Sequence, residues 1–247
     1  MAGTLRLQND FGNAVTVHPD RLRHFVVWDD GGVSFFENGT VCAPHLQFTE
    51  DTVVEGVNAI LARLKDQGII PIRLDCGNPV NGDRDTLGYS FFFIPDTIDA
   101  WADHLDYYGP EIEPAFTIEE IPFFLSPEEI ADFKHALQKR TDAGDWLELS
   151  PDAEDGLRCD EGAFGFRKSR ITMLFATPER QMLTVVMADQ SRIVVPMQDA
   201  ASRIHDLARH LPHLGYVPDK EDNPRFYCDP VRVPEAKAHM PQFSLSH

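Results

Sequence analysis

A tight-turn signal between two apolar runs limits most strongly what this chain can fold into. Phe25–Trp28 and Val33–Phe36 flank the tetrapeptide Asp29-Asp30-Gly31-Gly32. Asp-Gly and Gly-Gly accept the positive φ angles of the tight turns that join antiparallel strands. We therefore predict an antiparallel hairpin here, which favours folds in which neighbouring strands follow one another in sequence.

Helix signals interrupt the predicted strands. Thr52 and Glu55 form a capping-box pattern, and Gly68 predicts where that helix ends. Ser126-Pro127-Glu128-Glu129 begins another helix with a cap and a proline at its first position. Apolar runs separated by turns predict a later meander with the strands Ile171–Ala176, Met182–Ala188 and Ile193–Val195. The predicted fold class is α+β, with antiparallel strand meanders and flanking helices.

A length of 247 residues allows one large domain or two modest ones, and we predict two α+β lobes. The N-terminal lobe is predicted to span residues 1–110 and the C-terminal lobe residues 126–247. Residues 111–125 are rich in proline and acids and are predicted to connect the lobes. A Pro-rich tail, from about residue 218, is predicted to be irregular. No residue-level internal repeat is visible in the sequence.

The whole chain has a formal net charge of -18, and the negative charge is concentrated in its first half. Residues 1–133 hold 7 of the 22 Lys and Arg residues but 23 of the 40 acids, and Asp85–Phe133 holds no Lys or Arg. Because phosphate contacts need Lys and Arg, direct nucleic-acid binding by this half is disfavoured. Docking on an anionic membrane is disfavoured for the same reason.

An acidic helix is predicted inside this stretch, from Asp96 to Tyr108. Ile98, Trp101, Leu105 and Tyr108 keep helical spacing, and Asp99, Asp103 and Asp106 repeat it one residue out of phase. We interpret the acids either as a solvated helix face or as a docking surface for a basic partner. The predicted partner-binding residues are Asp96, Asp99, Asp103, Asp106, Tyr107, Tyr108, Glu111 and Glu113, and Trp101 is a further candidate aromatic anchor.

The sequence contains no nucleophile-elbow, phosphate-loop or zinc-protease motif, so we predict no cofactor and no metal site. Cys42, Cys76, Cys159 and Cys228 are widely spaced, which favours separate reduced thiols in a cytoplasmic protein. Asp29-Asp30 and Asp83-Arg84-Asp85 lie at predicted turns, where Asp is common, although paired carboxylates also serve acid/base chemistry. The basic cluster Arg167, Lys168 and Arg170 pairs with acids of this chain or holds an anion.

Three functions remain open. The first is an acidic module that binds a basic protein, either a toxin or an effector, and neutralises or escorts it; such complementarity speeds association. In its charge and composition the chain is similar to the functional class of bacterial immunity proteins. The second is a hydrolase-like enzyme with a site of distant carboxylates and a histidine in a cleft between lobes, drawing on Asp29, Asp30, Asp83 and Asp85. The third is an adaptor or subunit of a larger complex. Of these we expect the first, which favours a protein that is not an enzyme, and the enzyme stays the alternative.

Overall fold

The computed structural model of the protein describes ten ranges of the chain. They are residues 4–9, 11–38, 43–76, 89–108, 111–119, 121–123, 125–151, 162–177, 181–217 and 225–228. The predicted turn with Asp83 and Asp85 lies outside them, as does most of the predicted tail.

Three segments of the chain repeat one order of elements: three strands, a helix and two strands. Motif 1 contains β3 (Leu22–Val27), β4 (Gly32–Glu37), β5 (His45–Gln47), α1 (Val53–Asp66), β6 (Ile72–Cys76) and β7 (Tyr89–Phe93). Motif 2 contains β8 (Ala100–Tyr108), β9 (Glu111–Ile118), β10 (Ile121–Phe123), α2 (Pro127–Arg140), β11 (Trp146–Leu149) and β12 (Ala163–Arg167). Motif 3 contains β13 (Ile171–Thr177), β14 (Met182–Met187), β15 (Arg192–Pro196), α3 (Ala200–Arg209), β16 (Leu214–Val217) and β17 (Arg225–Cys228). An antiparallel hairpin of β1 (Leu5–Gln8) and β2 (Ala14–Val17) precedes motif 1.

Each motif forms a five-stranded sheet with the same strand order. The orders are β5-β4-β3-β7-β6, β10-β9-β8-β12-β11 and β15-β14-β13-β17-β16. In each sheet the first strand of the motif is central and pairs antiparallel with the last. The helices begin at Val53, Pro127 and Ala200, which are 74 and 73 residues apart. The chain therefore repeats one topology three times, although the sequence shows no residue-level repeat.

The antiparallel sheets and their helices confirm the α+β fold class. The predicted hairpin is also present, since Val27 on β3 pairs with Val33 on β4. The predicted meander of strands in the second half corresponds to β13, β14 and β15, which pair in sequence order.

The chain divides into two compact units that interleave along the sequence. Unit 1 is Met1–Ile98 with Ile121–Ala143, and unit 2 is Asp99–Glu120 with Gly144–His247. Motif 1 lies wholly in unit 1 and motif 3 wholly in unit 2, whereas motif 2 contributes elements to both. These units thus differ from two consecutive lobes separated at residues 111–125.

The sheet of motif 1 buries aromatic rings on both faces, because successive residues of a strand point to opposite sides. On one face Phe92 stacks on Phe25 at 4.5 Å between ring centroids, in a core that includes Ile60 and Leu64 of α1. On the other face Phe91 and Phe93 pack against Phe123, a residue of β10, with the edges of the rings meeting their faces. Phe133 of α2 packs against Phe93 as well, at 6.4 Å. Both helices thus contribute to the core of unit 1.

Unit 2 is organised around the sheet of motif 3 and its helix. Leu174, Leu183 and Val185 of this sheet are fully buried in one cluster with Ile204 of α3. Residues of β8, β11 and β12, among them Phe166, belong to the same cluster. A single apolar core therefore holds unit 2 together.

Two predictions about local structure are wrong, and a third segment contains strands that the sequence did not predict. The acidic segment predicted as a helix forms strand β8 from Ala100 onward, with only a 3-10 turn at Pro95–Thr97. Residues 111–125, predicted to connect two lobes, contain β9 and β10. The tail predicted as irregular contains β17. In each case backbone hydrogen bonding between strands is open to charged and apolar residues alike, and only proline lacks an N–H to donate.

The two predicted capping boxes have different outcomes. Ser126 and Glu129 form the reciprocal bonds of a capping box at the start of α2, as predicted. Thr52 makes no side-chain bond to the first turn of α1, so the predicted capping box is wrong there. Its hydroxyl instead accepts a hydrogen bond from the backbone N–H of Thr49, at 3.1 Å.

Candidate functional site

The predicted docking residue Asp99 is buried and ion-paired. Its residue surface is 9% exposed, and Nε of Arg170 lies 3.3 Å from its Oδ1. Trp101, predicted as an aromatic anchor, is 5% exposed. A protein partner needs accessible side chains, so neither residue can belong to a docking surface in this structure.

The basic cluster at the end of β12 serves this chain's own fold. Arg170 pairs with Asp99, and Lys168 donates from Nζ to the backbone carbonyl of Gly144 at 2.8 Å. Arg167 is buried, and its guanidinium lies 5.7 Å from the ring centroid of Trp146. Arg170 therefore pairs with an acid of the same chain, as predicted, whereas Lys168 contacts a backbone carbonyl and Arg167 an aromatic ring.

Other predicted docking residues lie at the end of the β8–β9 hairpin where β8 ends and β9 begins. In the strand register Asp106 lies opposite Glu113, and Tyr108 lies opposite Glu111. Because strand positions alternate between faces, these four residues occupy one face of the hairpin. We call them the acidic hairpin end.

The remaining predicted docking residues do not share that face. Asp103 lies opposite Phe116 and Tyr107 lies opposite Ile112, at alternate positions of the register. Asp96 is in the 3-10 turn before β8 and is exposed. The single acidic stripe predicted for a helix is therefore divided between two faces of a strand.

The acidic hairpin end has an electrostatic consequence. Like charges at directly opposite positions of a strand pair destabilise it, and opposite charges stabilise it. The register sets two acidic residues, Asp106 and Glu113, at directly opposite positions.

A second candidate site is a chain of hydrogen bonds on the sheet of motif 1, which we call the Ser–His relay. The indole Nε1 of Trp28 donates to Oγ of Ser34 at 3.0 Å. Oγ of Ser34 lies 3.0 Å from Nδ1 of His45, and Nε2 of His45 lies 3.2 Å from Oε1 of Gln47. Gln47 in turn donates from Nε2 to the backbone carbonyl of Asp30 at 2.6 Å.

The fixed ends of the relay assign its proton positions. The indole N–H can only donate, so Ser34 accepts from it and can direct its own proton to His45. The Gln47 amide nitrogen donates to Asp30, which leaves Oε1 to accept from His45. His45 therefore carries its proton on Nε2 and presents a free lone pair on Nδ1 to the serine hydroxyl. That is the arrangement of a nucleophile and a general base held by a third group.

Sheet pairing explains why these residues meet. Ser34 on β4 is the register partner of His45 on β5, and Gly32 is the register partner of Gln47. The absence of a side chain at Gly32 leaves room for the imidazole, since a Cβ there would lie 2.7 Å from Cε1 of His45. All members of the relay are partly or fully exposed.

Sequence reasoning missed the Ser–His relay because no motif links Ser34 with a histidine eleven positions later. It predicted Asp29 and Asp30 as alternative catalytic residues. Asp30 stabilises the turn, since its Oδ1 accepts from the backbone N–H of Gly32 at 2.8 Å. The turn interpretation of Asp30 therefore agrees with the structure.

His24 is the buried histidine of unit 1 and is enclosed by aromatic rings. Its imidazole stacks on Phe36 at 4.5 Å between centroids and also contacts Phe91 and Phe93. Burial, with a smaller effect of the neighbouring Arg23 charge, lowers the pKa of His24 from 6.5 to about 4. A neutral imidazole in an apolar box is a stabilising element and is unsuited to proton transfer with solvent.

Within the described ranges, no three His, Cys, Asp or Glu residues are grouped closely enough to hold a metal ion. In those same ranges no helix has the length and apolar character needed to cross a bilayer. Comparison of the chain with protein-family models, with curated proteins and with solved structures finds no match.

Proposed function

We propose that the protein is an acidic module that binds a basic protein in the cytoplasm and neutralises or escorts it, in the manner of an immunity-type inhibitor of a toxin or effector. The acidic hairpin end is the observation that supports the proposal. It puts two carboxylates at opposite positions of one strand pair in a chain of net charge -18. A Lys or Arg of the partner pairs with these acidic residues, and such charge complementarity speeds association.

The proposal includes the two-lobe arrangement predicted from the sequence. The residues of the acidic hairpin end come from the end of the predicted N-terminal lobe and the start of the predicted connector, and all four lie in unit 2. The tyrosine at position 108 lies opposite Glu111, and tyrosine is enriched among the residues that dominate binding energy. The contact therefore combines one aromatic residue with the acids of the acidic hairpin end.

The test measures association with a partner captured on the tagged protein and released by salt. The variant Asp106→Asn with Glu113→Gln removes both opposed charges at nearly constant volume. We expect its association rate at low salt to fall about tenfold, because electrostatic steering raises such rates by this order or more. The matched control is Glu50→Gln with Asp66→Asn, which removes two exposed acids of motif 1. An unchanged rate for the hairpin variant would refute the proposal.

The Ser–His relay supports a second function, hydrolysis of an ester or related acyl compound. Oγ of Ser34 attacks the acyl carbon while its proton moves to Nδ1 of His45. His45 then protonates the departing alcohol, and water hydrolyses the acyl-serine to release the acid. The exposed indole of Trp28 supplies an apolar surface beside the nucleophile.

A fluorophosphonate probe tests this second function directly. Covalent labelling of Ser34, located by peptide mass spectrometry, is expected in the native protein and lost in Ser34→Ala. Ser191→Ala removes a partly exposed hydroxyl outside the relay and is the control. Equal labelling of the native protein and Ser34→Ala excludes the relay as a nucleophilic site.

A further inference from the structure

A surface cavity of about 340 Å³ lies in unit 1 where α1 ends and β6 begins. Its lining is largely apolar and includes Leu61, Ala62, Ile69, Ile70, Pro71 and Phe92. The lining also contains two cations, Lys65 and Arg73. The volume is within the range of small-molecule sites, which are typically apolar with few polar groups.

The wall of the cavity is built by the end of α1. Gly68, at φ +79°, reverses the chain after the helix, in a backbone region that favours glycine. The Gly68 N–H donates to the carbonyl of Lys65, and the Ile69 N–H donates to that of Leu64, both at 2.9 Å. These two bonds form the Schellman motif, which directs Ile69 back toward the helix.

Arg140 of α2 fixes the next part of the wall. Its Nη1 donates to the backbone carbonyl of Ile70 at 3.0 Å and also to that of Pro71. Ile70 nevertheless leaves 54% of its surface exposed. The segment is thus held in place by backbone contacts while its large apolar side chain remains open to solvent.

The two cations of the lining differ in their partners. Nε of Arg73 lies 2.7 Å from Oδ1 of Asp75, and its guanidinium lies over the ring of Phe92. Lys65 is exposed, and within the described ranges no carboxylate lies within ion-pair distance of its ammonium. In a strongly acidic chain, an apolar cavity therefore carries a lysine whose charge no described acid neutralises.

We propose that this cavity binds a single-chain amphiphilic carboxylate. The hydrocarbon chain lies against Leu61, Ile69 and Phe92, and the carboxylate pairs with Lys65. Binding covers the exposed side chain of Ile70 and neutralises the Lys65 charge, which no acid of the described residues pairs with; a neutral or cationic ligand cannot provide both gains. This site is distinct from the protein-binding surface and does not rest on the function proposed for it.

Decanoate, used below its micelle concentration, is the probe. Titration of the full ¹⁵N-labelled chain is expected to show saturable binding at one site, with amide shifts confined to Leu61–Arg73 and the strand that carries Phe92. Decyltrimethylammonium has the same chain length and the opposite charge, and it is expected to bind at least tenfold more weakly. Equal affinity for the two amphiphiles, shifts centred elsewhere, or no binding of decanoate would overturn the proposal.

Three variants distinguish the contribution of the Lys65 charge to binding from that of the apolar cavity. Lys65→Gln is expected to weaken decanoate binding about fivefold, the size of an exposed ion pair, and to leave the affinity for decanol unchanged. Ala62→Phe fills the cavity from an exposed helix position and is expected to abolish binding of both ligands. Lys139→Gln, an exposed lysine near the end of α2, is the matched control. Unchanged binding by Ala62→Phe would place the ligand outside the cavity.

Discussion

The indole of Trp101 lies directly over Gly165, its register partner on the neighbouring strand β12. A Cβ on Gly165 would lie 2.1 Å from Cε2 and 2.2 Å from Nε1 of this ring. The ring also stacks on Phe116, with centroids 6.0 Å apart. Glycine at position 165 is therefore required by the tryptophan, because any side chain there would occupy the volume of the indole.

Gly165→Ala is expected to destabilise the protein by about 3 kcal/mol, the upper range for an overpacked core. Urea unfolding measures this change. Trp101→Phe provides a smaller ring, so the double variant is expected to lose at least about 1 kcal/mol less than the sum of the single losses. Additive losses would show that the indole is not the group that excludes a side chain at position 165.

The same region shows why the sequence predicted the wrong element. Ile98, Trp101, Leu105 and Tyr108 keep helical spacing, and the prediction of a helix assumed a single buried face. β8 is the central strand of its sheet, and both Trp101 and Ala102 are buried, on opposite faces. A strand covered on both sides has no alternating pattern, so periodicity cannot distinguish it from a helix.

Strands bounded by tight turns were the most predictable part of the fold. The β3–β4 hairpin follows from Gly31, which has φ +82° in the turn. The threefold repeat could not be predicted because it consists of strand order and spacing, and no residue-level match accompanies it. The Ser–His relay was hidden because it depends on the register between β4 and β5, which residue patterns do not determine.

Removal of the Arg170 charge tests the ion pair with Asp99. Arg170→Gln leaves the mostly buried carboxylate of Asp99 without this partner. We expect the free energy of unfolding to fall by about 2 kcal/mol. This is below the usual range for fully buried pairs, because Arg170 is partly exposed. The control is Arg209→Gln, since Arg209 and Asp206 form an exposed pair with a distance of 2.9 Å. That change is expected to cost less than about 0.5 kcal/mol. Equal losses from the two variants would contradict the buried role of Asp99.

The lowered pKa of His24 makes stability depend on pH. The unfolded chain protonates this histidine near pH 6.5 and the folded chain only near pH 4, so the unfolded state binds more protons between these values. Stability therefore falls as the pH falls through this window, by about 2 kcal/mol from pH 7 to pH 4.5.

His24→Phe isolates this contribution, because a phenyl ring fits the aromatic box and does not titrate. Urea unfolding at pH 7 and pH 4.5 is compared for the two proteins. The variant is expected to lose less stability on acidification than the native protein, by about 2 kcal/mol. Parallel losses in the two proteins would mean that His24 is protonated as readily in the folded state as in the unfolded one.

The two helix starts form a matched pair for testing a cap. Glu129 and Glu55 each occupy the third position of their helix, so both lie near the positive end of the helix dipole. Glu129 also accepts from the backbone N–H and the hydroxyl of Ser126, each at 2.7 Å, whereas Thr52 makes no side-chain bond to its helix. Glu129→Ala is expected to cost about 1 kcal/mol and Glu55→Ala less than about 0.5 kcal/mol, as measured by urea unfolding. Both variants lose the same interaction with the helix dipole, so the difference between their losses of stability reports the capping box alone. Equal losses would show that the reciprocal bonds at Ser126 add nothing to stability.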